Sequence, residues 1–110
     1  MKEIKRNSRL IRELASKNIR LNANAIVNKT GYRKGYTTIC LVDIIFTYKN
    51  EDYLIDHCWL QQKDYQYVIN KDYFEIGKEY SIDFTFYEYR DKVTTGQCGM
   101  KVKKVYQINR

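Results

Sequence analysis

The chain has 110 residues and no proline, and its 20 Lys and Arg residues outnumber its 13 Asp and Glu residues, so the net charge is +7. This length suits one domain with a modest core, and no apolar run reaches the roughly 18 residues of a membrane-spanning helix. The three cysteines, Cys40, Cys58 and Cys98, are odd in number and lack CxxC spacing. We therefore expect buried free thiols in a cytoplasmic protein without a secretory signal.

The charge is distributed unevenly along the chain. Residues 1–36 hold ten basic and two acidic residues (+8), residues 37–91 hold five and eleven (−6), and residues 92–110 hold five and none (+5). Codon bias accounts for an abundance of Lys, Asn, Ile and Tyr, but it does not account for an acidic middle. If the fold brings the basic segments together, they form one positive surface of the kind that binds nucleic acids.

The first part of the chain predicts one short helix followed by a strand. From Asn7 to Lys17 the apolar residues recur at i, i+1, i+4 and i+5, which gives a narrow apolar stripe on a helix capped by Asn7 or Ser8. From Ile19 to Asn28 apolar and polar residues alternate, which predicts a strand with one buried face. The next stretch, Thr30 to Thr38 (TGYRKGYTT), contains two glycines and is predicted to be a loop.

The remainder of the chain predicts four more strands and a second short helix. Five strands with a helix between the third and the fourth are the order of the OB-fold, a five-stranded Greek-key barrel. We therefore predict a mainly β protein in which residues 1–18 form an N-terminal helix and residues 19–110 form an OB-fold domain. The later strands are predicted at Thr37–Tyr48, Tyr53–Gln61, Glu79–Arg90 and Cys98–Ile108, and the helix within Lys63–Ile76.

Residues with catalytic or metal-binding chemistry do not form a recognisable site. His57 is the one histidine, and its neighbours Asp56 and Cys58 are expected to point to the opposite face of the strand, so the three cannot form a triad. Zinc would have to take its ligands from three strands without the usual paired spacing. The sequence also lacks the dinucleotide-binding, phosphate-loop and nucleophile-elbow motifs. We expect a non-catalytic protein with no cofactor and no bound metal.

A binding surface is better supported than an active site. An OB-fold holds oligonucleotides on its second and third strands and with the loops after its first and fourth strands, which here are TGYRKGYTT and YRDKVTTGQ. Aromatic rings stack on bases while Lys and Arg neutralise phosphates, and both kinds of residue stand side by side in these segments. The predicted nucleic-acid-binding residues are Lys29, Tyr32, Arg33, Lys34, Tyr36, Trp59, Tyr87, Tyr89, Arg90, Lys92, Lys101, Lys103 and Lys104.

Three segments, LVDIIF, DHCW and FEIGKEYSIDFTFYEYR, together form a recognisable pattern, which includes Asp43, His57 and Trp59. Together with the basic loop before them, they resemble the small OB-fold single-stranded nucleic-acid-binding (SSB-like) proteins of phages and mobile elements. The resemblance covers roughly residues 19–108, although Lys78-Glu79 stands where the family usually has an acidic residue after the glycine. It implies that Asp43 and His57 fix strand packing, and that Trp59 either does the same or is a stacking platform for a base.

The resemblance further implies an accessory single-stranded-DNA-binding protein whose partner is a larger replication protein, such as a polymerase, primase or helicase. Two alternatives stay open: an adaptor module whose basic surface binds an acidic protein, and an RNA-binding OB domain. The charge distribution favours nucleic acid over the adaptor. DNA and RNA are not separated, because every base has a π-face and no residue that reads the 2′-hydroxyl is evident. The N-terminal helix is expected to close one end of the barrel or to dock the partner.

Overall fold

The computed structural model describes residues 1–33, 36–61, 74–88 and 98–107, which form one six-stranded sheet and one helix. The sheet order is β1-β4-β3-β2-β5-β6. The expected mainly β architecture with an N-terminal helix is confirmed, and no helix in these ranges is long and apolar enough to span a membrane. The elements are β1 (Lys2–Ile4), α1 (Arg9–Ser16), β2 (Leu21–Arg33), β3 (Tyr36–Tyr48), β4 (Glu51–Gln61), β5 (Glu79–Glu88) and β6 (Cys98–Gln107).

Helix α1 begins at the predicted cap and buries the predicted apolar stripe. The backbone of Ser8 is extended, and its Oγ accepts a hydrogen bond from the backbone N of Ile11 at 3.5 Å. Ile11 and Leu14 are buried in the same core as the strands, and α1 packs mainly against β5. Burial of such side chains contributes about 1.5–3 kcal/mol each, so the helix is an integral part of the sheet's core.

The structure has six strands where five were predicted, and its hydrogen-bonded sheet does not close into a barrel within the described residues. The additional strand, β1, runs parallel to β4, with Lys2 opposite Tyr53 and Ile4 opposite Ile55. A three-residue parallel strand leaves no local pattern in the sequence, because its partner lies about fifty residues away. β1 covers the edge of β4 that a closed barrel would pair with β6.

The two ends of the sheet nevertheless approach each other. β4 and β6 run in the same direction but are separated in the sheet order by β3, β2 and β5. Cys58 Sγ on β4 donates a hydrogen bond to the backbone oxygen of Cys98 on β6 at a distance of 3.5 Å, and both cysteines are fully buried. The sheet is therefore curled until β4 and β6 meet along a line that we call the seam.

The core fills the inside of the curled sheet. Alternate residues of β2 and β5 point inward, as their period of two predicts, and three phenylalanines pack at its centre. The ring of Phe46 lies edge-on to those of Phe84 and Phe86, with centroids 6.5 and 5.6 Å away. The inward residues of these two strands are Leu21, Ala23, Ala25, Val27, Tyr80, Ile82, Phe84 and Phe86.

Two register shifts between β2 and β3 break the alternation of side chains. One lies between Asn24 and Ile26, opposite Asp43, which adopts a left-handed backbone conformation with φ 51°; aspartate tolerates this conformation better than most residues. The other lies between Val27 and Lys29. Such bulges turn side chains to a different face and increase the twist of the strands, which is why the continuous apolar run of β3 did not reveal its buried face.

The segment Thr30–Thr38 was predicted to be a loop, and this prediction is wrong. β2 continues to Arg33 and β3 starts at Tyr36, with Gly31 opposite Thr38 in an antiparallel ladder. Residues 34 and 35, between the two strands, lie outside the described residues. β5 pairs with β2 only as far as Ile26, so the last part of β2 pairs with β3 alone among the described strands. We call this part of the sheet, Lys29–Arg33 with Tyr36–Cys40, the hairpin end; its residues Thr38 to Cys40 also pair with β4.

The second predicted helix cannot be compared with the structure over most of its length. Residues 62–73 lie outside the described residues, and Phe74 to Lys78 form a turn that leads into β5. Gly77 adopts φ 88°, a conformation that favours glycine, and its backbone N donates a hydrogen bond to the backbone oxygen of Val27 at 2.7 Å. This turn fixes the start of β5 against β2.

Candidate nucleic-acid interface

The outer face of β2, β3 and β4 carries an aromatic ring with a cation above it. Lys29, Cys40 and Trp59 lie opposite one another on the three neighbouring strands. Leu41 and Leu60, their neighbours in sequence, point into the core, so this row faces outward. Lys29 Nζ lies 5.7 Å from the centre of the Trp59 ring, within the range of a cation–π interaction. We call these two residues the Lys29–Trp59 pair.

A β-bulge explains why Lys29 reaches the outer face. Val27 is buried, and in a regular strand a residue two positions later would face the same way. The register shift between Val27 and Lys29 adds one residue to β2, so Lys29 points outward and stands opposite Cys40. Cys40 is buried in this row. Burial raises the pKa of its thiol, and the positive charge of Lys29 acts in the opposite direction.

The charge of Lys29 is not compensated by a carboxylate within the described residues. The ion pairs there join Lys17 to Glu13, Arg20 to Asp83, His57 to Asp56 and Lys78 to Glu75. Lys29 is exposed and Trp59 is partly exposed. On the outer surface the pair therefore offers the face of an aromatic ring and, beside it, a positive charge.

The hairpin end continues this outer face toward the residues predicted to form a binding loop. Arg33 lies four residues beyond Lys29 on the same strand, about 13 Å away at the usual rise, and is paired with Tyr36. For Tyr32, Arg33 and Tyr36 the structure describes the backbone alone, and Lys34 lies outside the described residues. Their contact with a ligand stays a prediction, now on strands that are continuous with the Lys29–Trp59 pair.

The predicted lysines of β6 are exposed but lie along a different strand. Lys101 lies three residues after Cys98 and Trp59 lies one residue after Cys58, which are the two residues of the seam contact, and both strands run in the same direction. Lys103 and Lys104 lie further along β6, where a register shift against β5 adds one residue. The structure therefore brings the start of β6, and with it Lys101, toward β4.

A hydrogen-bonded network surrounds Lys104 on the outer face of β2, β5 and β6. Lys104 Nζ lies 4.9 Å from the centre of the Tyr106 ring, and the Tyr106 hydroxyl donates to Asp83 at 3.2 Å. Asp83 also accepts hydrogen bonds from Asn22 at 2.8 Å and from Arg20 at 3.2 Å. These bonds, chiefly the one from Asn22, hold the pKa of Asp83 below its usual value.

The remaining predicted contacts come from the segment around the end of β5. Tyr87 stands opposite Gly99 of β6 and is partly buried, with its hydroxyl oxygen inaccessible to solvent. This placement suits strand packing better than base stacking. Tyr89, Arg90 and Lys92 lie outside the described residues, so their role stays a prediction.

The prediction that Asp56 and His57 point to opposite faces is wrong. Both side chains are exposed, and Asp56 Oδ2 lies 3.2 Å from His57 Nδ1. The alternation fails here because Ile55 and Cys58, on either side of the two, both point into the core. Cys58 therefore does not join them, and no triad forms. Within the described residues no three His, Cys, Asp or Glu side chains are grouped closely enough to hold a metal ion.

The three cysteines are buried, as expected from their number and spacing, and none forms a disulfide. Burial raises the pKa of Cys58 to about 12 and that of Cys98 to about 11. Since the thiolate is the nucleophilic form, these groups are poor nucleophiles at neutral pH. They belong to the core and the seam.

The structure thus places the Trp59 ring and a cation with no carboxylate partner among the described residues on one outer face, next to the hairpin end, which holds several of the predicted contacts. What this surface binds is inferred from its own residues. Comparison of the chain with known protein families, with curated proteins and with solved structures finds no match.

Proposed function

We propose that the chain is a single-stranded-DNA-binding accessory protein, and that the DNA strand lies over the outer face of β2, β3 and β4 and the hairpin end. The observation that carries this proposal is the Lys29–Trp59 pair, with its partly exposed ring and its cation outside every described ion pair. Each nucleotide of a single strand offers a base to stack and a phosphate to neutralise. Proteins that bind single strands without sequence preference combine these two contacts.

The strand connectivity supports an OB-type barrel that is partly open. β2, β3 and β4 pair consecutively, β5 pairs with the first half of β2, and β6 pairs with β5. In a five-stranded Greek-key barrel the remaining closure joins the third strand to the fifth, which are β4 and β6 here. In this proposal β1 fills part of that closure. OB-folds bind oligonucleotides on their second and third strands, and those strands, β3 and β4, carry Cys40 and Trp59.

The proposal extends to the setting in which the protein acts. The resemblance of the LVDIIF and DHCW segments to SSB-like proteins supports a non-catalytic partner of a larger replication protein in the cytoplasm. The second candidate function is that of an adaptor for another protein. It is favoured by Ile45, which is exposed on the outer face of β3 opposite Leu54 of β4, since exposed aliphatic side chains suit a protein partner.

The test uses the one tryptophan of the chain as a reporter of its own site. Labelled oligo-dT, oligo-U and a duplex of equal length are titrated while anisotropy and tryptophan fluorescence are followed together. We expect oligo-dT of about 4–16 nucleotides to bind and to quench the tryptophan. If about four phosphates are neutralised, log K should fall against log[salt] with a slope of about −3.

Three results would contradict the proposal. Preference for the duplex would exclude single-strand recognition, and binding that does not respond to salt would exclude phosphate contacts. A rise in anisotropy without quenching would place the DNA on another surface. Tighter binding of oligo-U than of oligo-dT would favour the RNA-binding alternative.

A further inference from the structure

A pocket of about 440 Å³ opens at the edge of the sheet, between the β1 segment and β4. Ile4 and Ile55 contribute apolar surface to it, and its polar wall is formed by Arg6, Asp56 and His57 among others. The volume falls within the range of small-ligand sites. It is too small to hold a folded partner, and its polar groups indicate a charged or hydrogen-bonding ligand.

Lys5 and Arg6 are the basic residues of the pocket wall, and neither takes part in a described ion pair; the carboxylates of the wall are those of Glu3 and Asp56. Asp56, the carboxylate on the β4 side, instead contacts His57. Arg6 is partly buried, and a guanidinium that gives up part of its hydration is normally compensated by an anion. Its planar set of donors fits the oxygens of a phosphate.

The charge of Arg6 also affects three buried thiols. The positive charge of Arg6 lowers the pKa values of Cys40, Cys58 and Cys98, against the larger effect of burial. These cysteines come from β3, β4 and β6, so the charge of Arg6 acts where the two ends of the sheet meet.

The pocket is also in line with the proposed path of the DNA. His57, in its wall, and Trp59 are two residues apart on the same outer face of β4, about 7 Å along the strand. A single strand whose base stacks on Trp59 thus passes the mouth of the pocket within a nucleotide or so.

Resting on the proposed function, we propose that this pocket is a phosphate subsite, in which Arg6 binds an internal backbone phosphate next to the base that stacks on Trp59. Lys5, also in the pocket wall, adds a second positive charge at its rim. In this proposal the N-terminal residues have a direct role in binding: β1 pairs with the edge of β4, and Arg6, which follows β1, contacts the DNA.

The experiment compares Arg6→Gln with the matched control Arg20→Gln in oligo-dT titrations at several salt concentrations. The Arg20→Gln substitution removes an equal charge, but from an arginine that is paired with Asp83. In this variant Asp83 keeps its hydrogen bonds from Asn22 and Tyr106. We expect the log–log salt slope to become shallower by about 0.7 in Arg6→Gln and to stay unchanged in Arg20→Gln. Arg6→Lys should restore most of the slope, and thermal melting verifies that each variant is folded.

Equal slopes in the wild type, Arg6→Gln and Arg20→Gln would overturn the subsite. Oligonucleotides with and without a 5′- or 3′-phosphate identify the source of the phosphate. An Arg6 effect confined to end-phosphorylated DNA would overturn the assignment to an internal phosphate.

Failure of the proposed function is distinguishable from failure of the subsite. If the wild type neither binds oligo-dT nor shows quenching, inorganic pyrophosphate is titrated instead while the amide resonances of residues 5–7 and 56–57 are followed. Shifts in the wild type that are absent in Arg6→Gln would support a phosphate site without DNA binding. The absence of shifts in the wild type would overturn the subsite as well.

Discussion

Three aromatic rings of the described residues have a lysine above them, and two of these pairs, Lys29–Trp59 and Lys104–Tyr106, differ in their surroundings. Lys104 and Tyr106 belong to a network in which Asp83 accepts hydrogen bonds from Tyr106, Arg20 and Asn22. The Lys29–Trp59 pair has no carboxylate among its described contacts. The two pairs therefore differ in whether a carboxylate is hydrogen-bonded to the aromatic residue, and in the proposed function the pair without such a carboxylate contacts the DNA.

The largest effect is expected from removing the two rings. Trp59→Ala should weaken oligo-dT binding by about 1–3 kcal/mol, the usual contribution of a stacked base, whereas Tyr106→Ala should leave the affinity within about twofold. Anisotropy titration at a fixed salt concentration measures both, and Trp59→Phe is the control that keeps a ring. Equal losses in the two alanine variants would remove the distinction between the pairs.

A smaller effect, on stability instead of binding, is expected from Asp83→Asn. The pKa of Asp83 is lowered in the folded state, so its carboxylate stabilises the fold above the unfolded pKa of about 3.9, and this stabilisation is lost as the pH falls through the folded pKa. The variant should lose about 1 kcal/mol of unfolding free energy at pH 7, and its difference from the wild type should shrink as the pH falls below about 4.

Urea unfolding at pH 7 and at pH 3 measures this difference, and oligo-dT affinity should be unchanged at pH 7. The control is Asp52→Asn, which changes an exposed aspartate at the β3–β4 turn whose recorded partner is Thr47. A variant as stable as the wild type at pH 7, or one with reduced DNA affinity, would show that the Asp83 network is not a purely structural feature.

The smallest effect on binding is expected from neutralising the lysine of each pair, Lys29 or Lys104. Lys29→Gln should make the salt slope of oligo-dT binding shallower by about 0.7, because its ammonium is free to contact a phosphate. Lys104→Gln should change the slope less, since Lys104 stands opposite Asp83 in the ladder. A larger change for Lys104 than for Lys29 would move the DNA path to β6.

Local patterns in the sequence were sufficient to predict the elements that local contacts stabilise. The cap at Ser8 and the stripe of Ile11 and Leu14 predicted α1, because helix contacts join residues three or four apart. The alternation from Ile19 to Asn28 predicted the buried face of β2, because every second residue of a strand faces the same side. Neither pattern depends on where the rest of the chain lies.

Features that depend on distant partners or on bulges were missed. β1 owes its existence to β4, about fifty residues later, and the glycines of Thr30–Thr38 suggested a loop where a cross-strand partner was present. Lys29 was predicted to bind from its charge alone. Its position beside Trp59 results from a bulge in β2, which the alternation of the sequence does not reveal. Arg6 was not predicted to bind anything, and its place beside β4 follows from the pairing of β1 with β4.

The parallel pairing of β1 with β4 also sets an order of events while the chain is being made on the ribosome. Lys2 is synthesised about fifty residues before Tyr53, its partner in the ladder, which is a wait of roughly 3–10 s at ordinary rates of translation. The β2–β3 hairpin, by contrast, joins neighbours in sequence and forms within microseconds of its own completion. A nascent chain therefore carries the Lys29 side of its surface well before Trp59 emerges, and Arg6 docks onto a sheet that already exists.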